Sequence, residues 1–169
     1  MLVERARRLL ERGGVVYETL PHREAYTAQG VASAVHVSGW MLAKVLVVRA
    51  AGEGPVMVVL PASCRMDPAA LGRAMGKANV ALVPEDELPA LFPDCEPGAM
   101  PPLGPLYGQA VFADVALAAE PAVIFNAGTH EDAIAMRWAD FARAIRPIVG
   151  RFAEQRRDRV PEYRLSYRE

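Results

Sequence analysis

The sequence has few of the features that mark secreted, membrane-spanning or nucleic-acid-coating proteins. Its 169 residues contain only two cysteines, Cys64 and Cys95, which excludes a disulfide framework and a cysteine-rich metal site. No apolar run approaches the roughly 20 residues that a membrane-spanning helix needs, and the charged start at Glu4 and Arg5 is unlike a secretion signal. The formal net charge of −1 argues against nucleic-acid binding by bulk electrostatics. We therefore expect a cytoplasmic protein that binds neither a membrane nor DNA.

Lysine is also scarce, because only Lys44 and Lys77 among the 19 basic residues are lysines. Lys44 stands inside the most apolar run of the chain, residues 42–48, which we predict to be a central strand. Lysine is rarely buried without a partner. Two interpretations stay open: Lys44 points to solvent or lies at a strand edge, or its ammonium lies in a cleft where it binds an anion such as phosphate or positions water.

Short helical and strand patterns alternate along the chain. Helices are predicted at residues 2–10, 27–35 with Thr27 as the cap, 67–76 with Asp67 as the cap, near 84–87 and at 141–145. Strands are predicted at residues 15–20, 42–48, 56–60, 80–83, 110–117, 122–126 and 133–138. The short connection at 51–54 predicts a hairpin and argues against a purely parallel sheet. We predict an α+β fold with a mixed, barrel-like sheet of about seven strands flanked by helices, in one domain over residues 1–150, followed by a charged tail at 151–169.

Two further segments have compositions that suit a binding site. Gly98-Ala99-Met100-Pro101-Pro102 combines glycine, which lets the backbone approach a ligand, with prolines that fix the loop. Gly128-Thr129-His130 lies between two predicted strands. By composition alone, the first segment is better explained as a structural turn, and a lone histidine such as His130 is more often a surface residue than a catalyst. No metal site is predicted, because the adjacent His130, Glu131 and Asp132 would alternate faces on a strand.

Taken in order, the Lys44 strand, Gly98 with Pro102, and Gly128-Thr129-His130 resemble the motifs of the YbaK/ProX family of aminoacyl-tRNA deacylases. The same domain is inserted in many bacterial prolyl-tRNA synthetases as an editing domain. The resemblance extends over about residues 17–145. It implies a barrel-like mixed sheet, no metal or organic cofactor, and a cleft that holds the 3′-terminal aminoacyl-adenosine.

The resemblance also implies roles for nine residues. Lys44 would bind phosphate or ribose near the ester, and the backbone of Gly98 would orient the aminoacyl carbonyl or the attacking water. The implied substrate-binding residues are Tyr26, Thr27, Pro102, Asn126, Gly128, Thr129 and His130.

Three functional hypotheses follow. The leading one is hydrolysis of mischarged aminoacyl-tRNA that carries alanine, serine or cysteine, with the acceptor end as the partner and a synthetase as a candidate second partner. An activated ester needs only positioned water and oriented dipoles, which fits the lack of an obvious nucleophile. The alternative is a non-catalytic tRNA-binding or synthetase-associated module, suggested by six arginines within residues 151–168. A hydrolase for another small ester is the third.

Overall fold

The computed structural model describes residues 4–155, which form six α-helices and ten strands. The helices are α1 (Glu4–Arg12), α2 (Ala28–Ala34), α3 (Pro68–Met75), α4 (Leu88–Leu91), α5 (Val115–Ala118) and α6 (Trp138–Ile145). The strands are β1 (Tyr17–Pro21), β2 (Ala43–Arg49), β3 (Val56–Pro61), β4 (Cys64–Met66), β5 (Ala81–Leu82), β6 (Val111–Asp114), β7 (Ala122–Asn126), β8 (Asp132–Arg137), β9 (Ile148–Gly150) and β10 (Ala153–Gln155). No helix in the described range is long and apolar enough to cross a membrane.

The strands form three sheets. A five-stranded mixed sheet has the order β5-β2-β3-β6-β9, in which β2 and β3 are an antiparallel hairpin and β3, β6 and β9 run parallel. A three-stranded antiparallel sheet has the order β1-β8-β7, and β4 pairs with β10. The first two sheets meet where the Ile124 N–H donates to the Met41 carbonyl oxygen over 3.0 Å. This junction brings the start of β2 and the end of β7 to the same place.

The predicted α+β class and mixed sheet are confirmed, but the sheet architecture was wrong. No closed barrel forms among residues 4–155, and the strands number ten in three sheets instead of about seven in one. The extra strands β4, β9 and β10 have only three residues each. Segments this short carry no measurable alternation, so their pairing is determined by tertiary contacts.

Successive side chains of β2 lie on opposite faces of the sheet and pack in different hydrophobic clusters. Ala43, Val45 and Val47 face the main core, which also contains Leu10 of α1 and Phe141 of α6. On the opposite face, Leu46 and Val48 pack with Leu71 of α3 and with Phe152. Lys44 shares this second face by register, so its side chain emerges on the side of the sheet that α3 and the β4–β10 pair cover.

Two predicted helix caps are confirmed. The Thr27 hydroxyl accepts a 3.0 Å hydrogen bond from the Gly30 N–H at the start of α2, and Asp67 does the same for Ala70 at α3. The predicted strand 110–117 is too long, because β6 ends at Asp114. The Asp114 carboxylate accepts a 2.8 Å bond from the Ala116 N–H and so begins α5.

The first residues of the predicted tail are packed against the domain. The ring of Phe152 is 2% exposed and lies edge-on to Phe112, with 5.9 Å between the ring centroids. The N–H groups of Phe152 and Ala153 both donate to the second Asp114 carboxylate oxygen, at 2.7 and 2.9 Å. Asp114 therefore fixes β10 against the end of β6. The rest of the tail, from residue 156 onwards, lies outside the described residues, and the division at residue 150 stays a prediction.

Candidate functional site

A pocket of about 150 Å³ lies at the junction of the two larger sheets. Its walls come from the start of β2, the start of α2, the loop before the Gly104–Tyr107 turn, and the end of β7. The lining residues are Tyr26, Ala28, Leu42, Ala43, Lys44, Val45, Gly98, Met100 and Asn126. Four of the nine residues implied by the resemblance (Lys44, Gly98, Tyr26 and Asn126) thus share one cavity, although they are dispersed in the sequence.

Lys44 is half-buried, and its Nζ ammonium donates a hydrogen bond to the main-chain carbonyl of Cys64. That carbonyl belongs to β4, on the face of the sheet from which Lys44 emerges. The hydrogen bond to this neutral acceptor helps to orient the ammonium. Of the two interpretations left open by the sequence, the structure supports a lysine in a cleft over one directed into bulk solvent.

The loop around Gly98 is fixed by main-chain hydrogen bonds. The Gly128 N–H donates to the Ala99 carbonyl over 3.0 Å, and the Glu96 N–H donates to the Gly128 carbonyl over 2.8 Å. Gly98 itself has φ +84°, a left-handed conformation that favours glycine. Among the residues that the structure describes, the Gly98 N–H has no protein acceptor. The loop therefore leaves one backbone donor unused at a residue that lines the pocket.

His130 supports this loop. Its imidazole Nε2 lies 2.8 Å from the Pro97 carbonyl oxygen, and its main-chain N–H donates to the Glu96 carboxylate over 2.7 Å. The residue is 6% exposed, and its ring lies 4.7 Å from that of Tyr26, centroid to centroid. His130 is not a surface histidine, and it is not among the residues that line the pocket.

Tyr26 and Asn126 both line the pocket. Tyr26 is 70% exposed, and its hydroxyl donates to Glu24, a hydrogen bond that raises the pKa of the phenol. The Asn126 side-chain oxygen is buried and has no hydrogen-bond partner within residues 4–155. A buried acceptor without a donor is costly to fold. Its position at the pocket suits a ligand that brings a donor group.

The remaining implied residues lie around the pocket without lining it. Thr27 caps α2, Pro102 is buried in the Gly98 loop, and Gly128 holds that loop through its backbone. The Thr129 hydroxyl donates to the Asp132 carboxylate over 2.9 Å. Direct contact of these four residues with a substrate stays a prediction.

Several site residues were missed from the sequence. Leu42, Ala28 and Met100 line the pocket, yet each looks like an ordinary core residue in its local pattern. Glu96 acts on His130 across 34 positions, so no local signal could have revealed it. Within the described residues, no three His, Cys, Asp or Glu side chains are grouped so that they could hold a metal ion.

Taken together, the fold and the pocket define an α+β protein whose small polar cavity is built by a lysine-bearing strand and a rigid glycine loop. Residues 22–144 match the family model described as the aminoacyl-tRNA editing domain. The chain therefore belongs to the aminoacyl-tRNA editing domain family, as the resemblance predicted. Membership indicates aminoacyl-tRNA as the substrate class and editing as the general function.

Solved structures share the fold. The hypothetical protein APE2540 superposes with a TM-score of 0.81 at 21% identity, over 89% of this chain and 100% of that one. A proposed trans-editing enzyme for prolyl tRNA synthetase superposes with a TM-score of 0.76 at 22% identity, over 89% and 95% of the respective chains. The comparison with curated proteins gives no significant match.

Proposed function

We propose that this protein is a trans-acting editing hydrolase that cleaves the ester of mischarged aminoacyl-tRNA carrying a small amino acid. One observation carries the proposal: Lys44 and Gly98, remote in sequence, line the same pocket. A fixed cation and an available backbone donor in one cavity are the groups needed to hold an ester and stabilise its transition state.

The size of the pocket supports a small amino acid. A cavity of about 150 Å³ admits a group of about six heavy atoms, the size of benzene. Leu42, Ala28 and Met100 bound it with apolar atoms. The side chains that close a small cavity exclude large amino acids by steric overlap, whereas they cannot exclude smaller ones. Alanine, serine and cysteine are therefore the proposed substrates.

In the proposed reaction, the Lys44 ammonium holds a phosphate or ribose oxygen of the terminal nucleotide. A water oxygen adds to the ester carbonyl carbon, and the Gly98 N–H donates to the oxygen on which negative charge develops. The carbon–oxygen bond to the ribose then breaks, and the proton lost by the water goes to the ribose oxygen. The products are the free amino acid and tRNA with a free terminal hydroxyl. A single oxyanion donor is worth a rate factor of about 100 to 1000.

The test is release of amino acid from a panel of mischarged tRNAs by wild type, Lys44→Ala and Lys77→Ala. Lys77 is the matched control, since it is the other lysine of the chain and pairs with Glu53 on the surface. We expect Lys44→Ala to lower kcat/KM by at least about 100-fold, in the range of an electrostatic group lost from a site, and Lys77→Ala to have no effect. Equal activity of the two variants would contradict the proposal.

A Lys44→Arg variant separates charge from shape. Arginine keeps the charge, but its planar fork cannot replace a compact ammonium held by the Cys64 carbonyl. We expect activity between those of wild type and Lys44→Ala. Full activity would mean that charge alone suffices.

The same panel of mischarged tRNAs also tests the alternative, a non-catalytic tRNA-binding or synthetase-associated module. It predicts no release from any substrate, together with tRNA binding that weakens steeply with salt. One of the structural relatives is described as a trans-editing enzyme for prolyl tRNA synthetase. That synthetase is therefore the first partner to test by co-sedimentation.

A further inference from the structure

A second cleft, of about 230 Å³, borders the residue that holds Lys44. It is lined by Trp40, Cys64, Asp114, Val115, Ala116, Arg151 and Ala153. We propose that this cleft binds the nucleotide that precedes the terminal adenosine of the tRNA, with its base stacked on Trp40 and its phosphate near Arg151. The inference rests on the proposed function, because it assumes that the aminoacyl ester at the end of the tRNA occupies the first pocket.

A hydrogen bond joins a residue of the first pocket to a residue of the second cleft. Lys44 lines the first pocket, and its Nζ donates to the carbonyl of Cys64, which lines the second. The Lys44 ammonium therefore contacts a residue that lines the second cleft. A single strand of RNA that leaves the first pocket past Lys44 reaches Trp40 and Arg151 next.

Trp40 is held in a fixed loop. The main-chain N–H of Trp40 donates a hydrogen bond to the Ser38 hydroxyl over 3.2 Å, and the Ser63 hydroxyl donates to the Gly39 carbonyl oxygen over 3.5 Å. A β-carbon on Gly39 would lie 3.6 Å from that of Ser63, so the loop packs directly on the segment before β4. The Trp40 ring is nevertheless 36% exposed. A partly exposed aromatic ring on a hydrogen-bonded turn is a platform on which proteins stack unpaired bases without sequence preference.

The charges in the cleft are compatible with a nucleotide. Arg151 is exposed and can approach a phosphate. Asp114 is the acidic residue of the lining, but it is 3% exposed. Its two carboxylate oxygens accept three backbone N–H bonds, from Ala116, Phe152 and Ala153. Backbone donors therefore compensate the charge of the buried Asp114 carboxylate, while the Arg151 side chain is exposed.

The experiment compares two substrates that differ only beyond the terminal nucleotide: aminoacyl-adenosine and the same aminoacyl ester on a CCA trinucleotide. We expect Trp40→Ala to raise KM for the trinucleotide at least about fivefold, from the loss of one stacked base, with kcat unchanged. KM for aminoacyl-adenosine should not change. Trp40→Phe should retain most of the wild-type KM, because phenylalanine keeps a stacking face.

Arg151→Gln tests the phosphate contact, with Arg12→Gln as the control on the distant end of α1. We expect Arg151→Gln to raise the trinucleotide KM and to reduce its dependence on salt, since one phosphate contact is lost. Arg12→Gln should change neither quantity.

Three outcomes would overturn the inference: no change with Trp40→Ala on either substrate, an equal loss on both substrates, or Arg151→Gln behaving like Arg12→Gln. An equal loss on both would mean that Trp40 only supports the first pocket. If wild type cleaves no ester, the proposed function fails separately. In that case, the binding site is tested by comparing the affinities of wild type and Trp40→Ala for the uncharged CCA trinucleotide. Equal affinities would reject the proposed nucleotide site in the second cleft.

Discussion

The Nε2 atom of His130 lies 2.8 Å from the carbonyl oxygen of Pro97, the residue immediately before Gly98. A carbonyl can only accept, so Nε2 carries the proton and donates it to this bond. The other ring nitrogen is buried and has no partner in the described part of the chain. Neither nitrogen is placed to take a proton from a water in the pocket. His130 is therefore a positioning residue that holds the Gly98 loop.

Replacing His130 tests this assignment. We expect His130→Ala to lower kcat/KM by about tenfold, a typical result of misplacing a reacting group by a fraction of an ångström, and His130→Gln to recover part of the loss through its amide donor. The shape of the pH–rate profile should be the same in all three proteins. An inflection present in wild type and absent from both variants would show that His130 transfers protons.

Gly98→Ala tests the loop conformation with little change of volume. A β-carbon on Gly98 would have its nearest heavy atom, Cε1 of His130, at an unstrained 3.6 Å, so space is not limiting. The φ of +84° is the obstacle, since such a conformation costs a residue with a side chain about 1–3 kcal/mol. We expect the loop to relax and the release of amino acid to fall at least about tenfold as the oxyanion donor turns away.

Gly52→Ala is the matched control for that variant. Gly52 has φ +76° in the turn between β2 and β3, and a β-carbon there meets nothing within 4 Å. It carries the same backbone strain away from the pocket. We expect a similar fall in melting temperature and full activity. If both glycine variants lose activity equally, the effect of Gly98→Ala is one of stability.

Local signals explain which parts of this fold could be predicted. Thr27 and Asp67 predict helix starts because a capping side chain accepts a hydrogen bond from a backbone N–H only three residues further along the chain. Lys44 stands out because a charge interrupts an apolar strand, and that local anomaly leads to the pocket. These features depend on residues that are close in the sequence, so they can be predicted from the sequence.

The parts that could not be predicted depend on distant partners. β4 and β10 exist through their pairing with each other, and neither has a recognisable pattern in three residues. Asp114 lies in an apolar run that predicts a longer strand, but its carboxylate serves α5 and β10 at once. The same is true of Glu96, whose partner His130 is 34 positions away. Such contacts become visible only when the topology is known.

Asn126→Ala should separate binding from stability. The Asn126 side-chain oxygen is buried without a partner in residues 4–155, so its removal should cost less than about 1 kcal/mol of unfolding free energy. If it accepts a donor from the substrate, KM should rise severalfold. Gln109→Ala is the control, since its buried side-chain oxygen also lacks a partner in that range and it is absent from the pocket lining. A KM that Asn126→Ala leaves unchanged would remove Asn126 from the proposed binding residues.

The thiol of Cys95 should be unreactive in the folded protein. Burial raises its pKa from 9.0 to about 11, although a hydrogen bond with Tyr107 acts in the opposite direction. Thiolate is the reactive form, so in a Cys64→Ser background a disulfide reagent at about pH 8 should modify the folded protein about 100-fold more slowly than the denatured one.

Tyr107→Phe, which removes the hydrogen bond that lowers the pKa of Cys95, should slow the reaction further. Because the folded pKa lies above the unfolded one, the Cys95 contribution to stability is complete below about pH 9 and declines as the pH rises towards about 11. The Cys95→Ala variant should therefore lose less stability than wild type over that alkaline interval, measured by denaturant unfolding. Rapid modification of the folded protein near neutral pH would contradict the buried, protonated thiol.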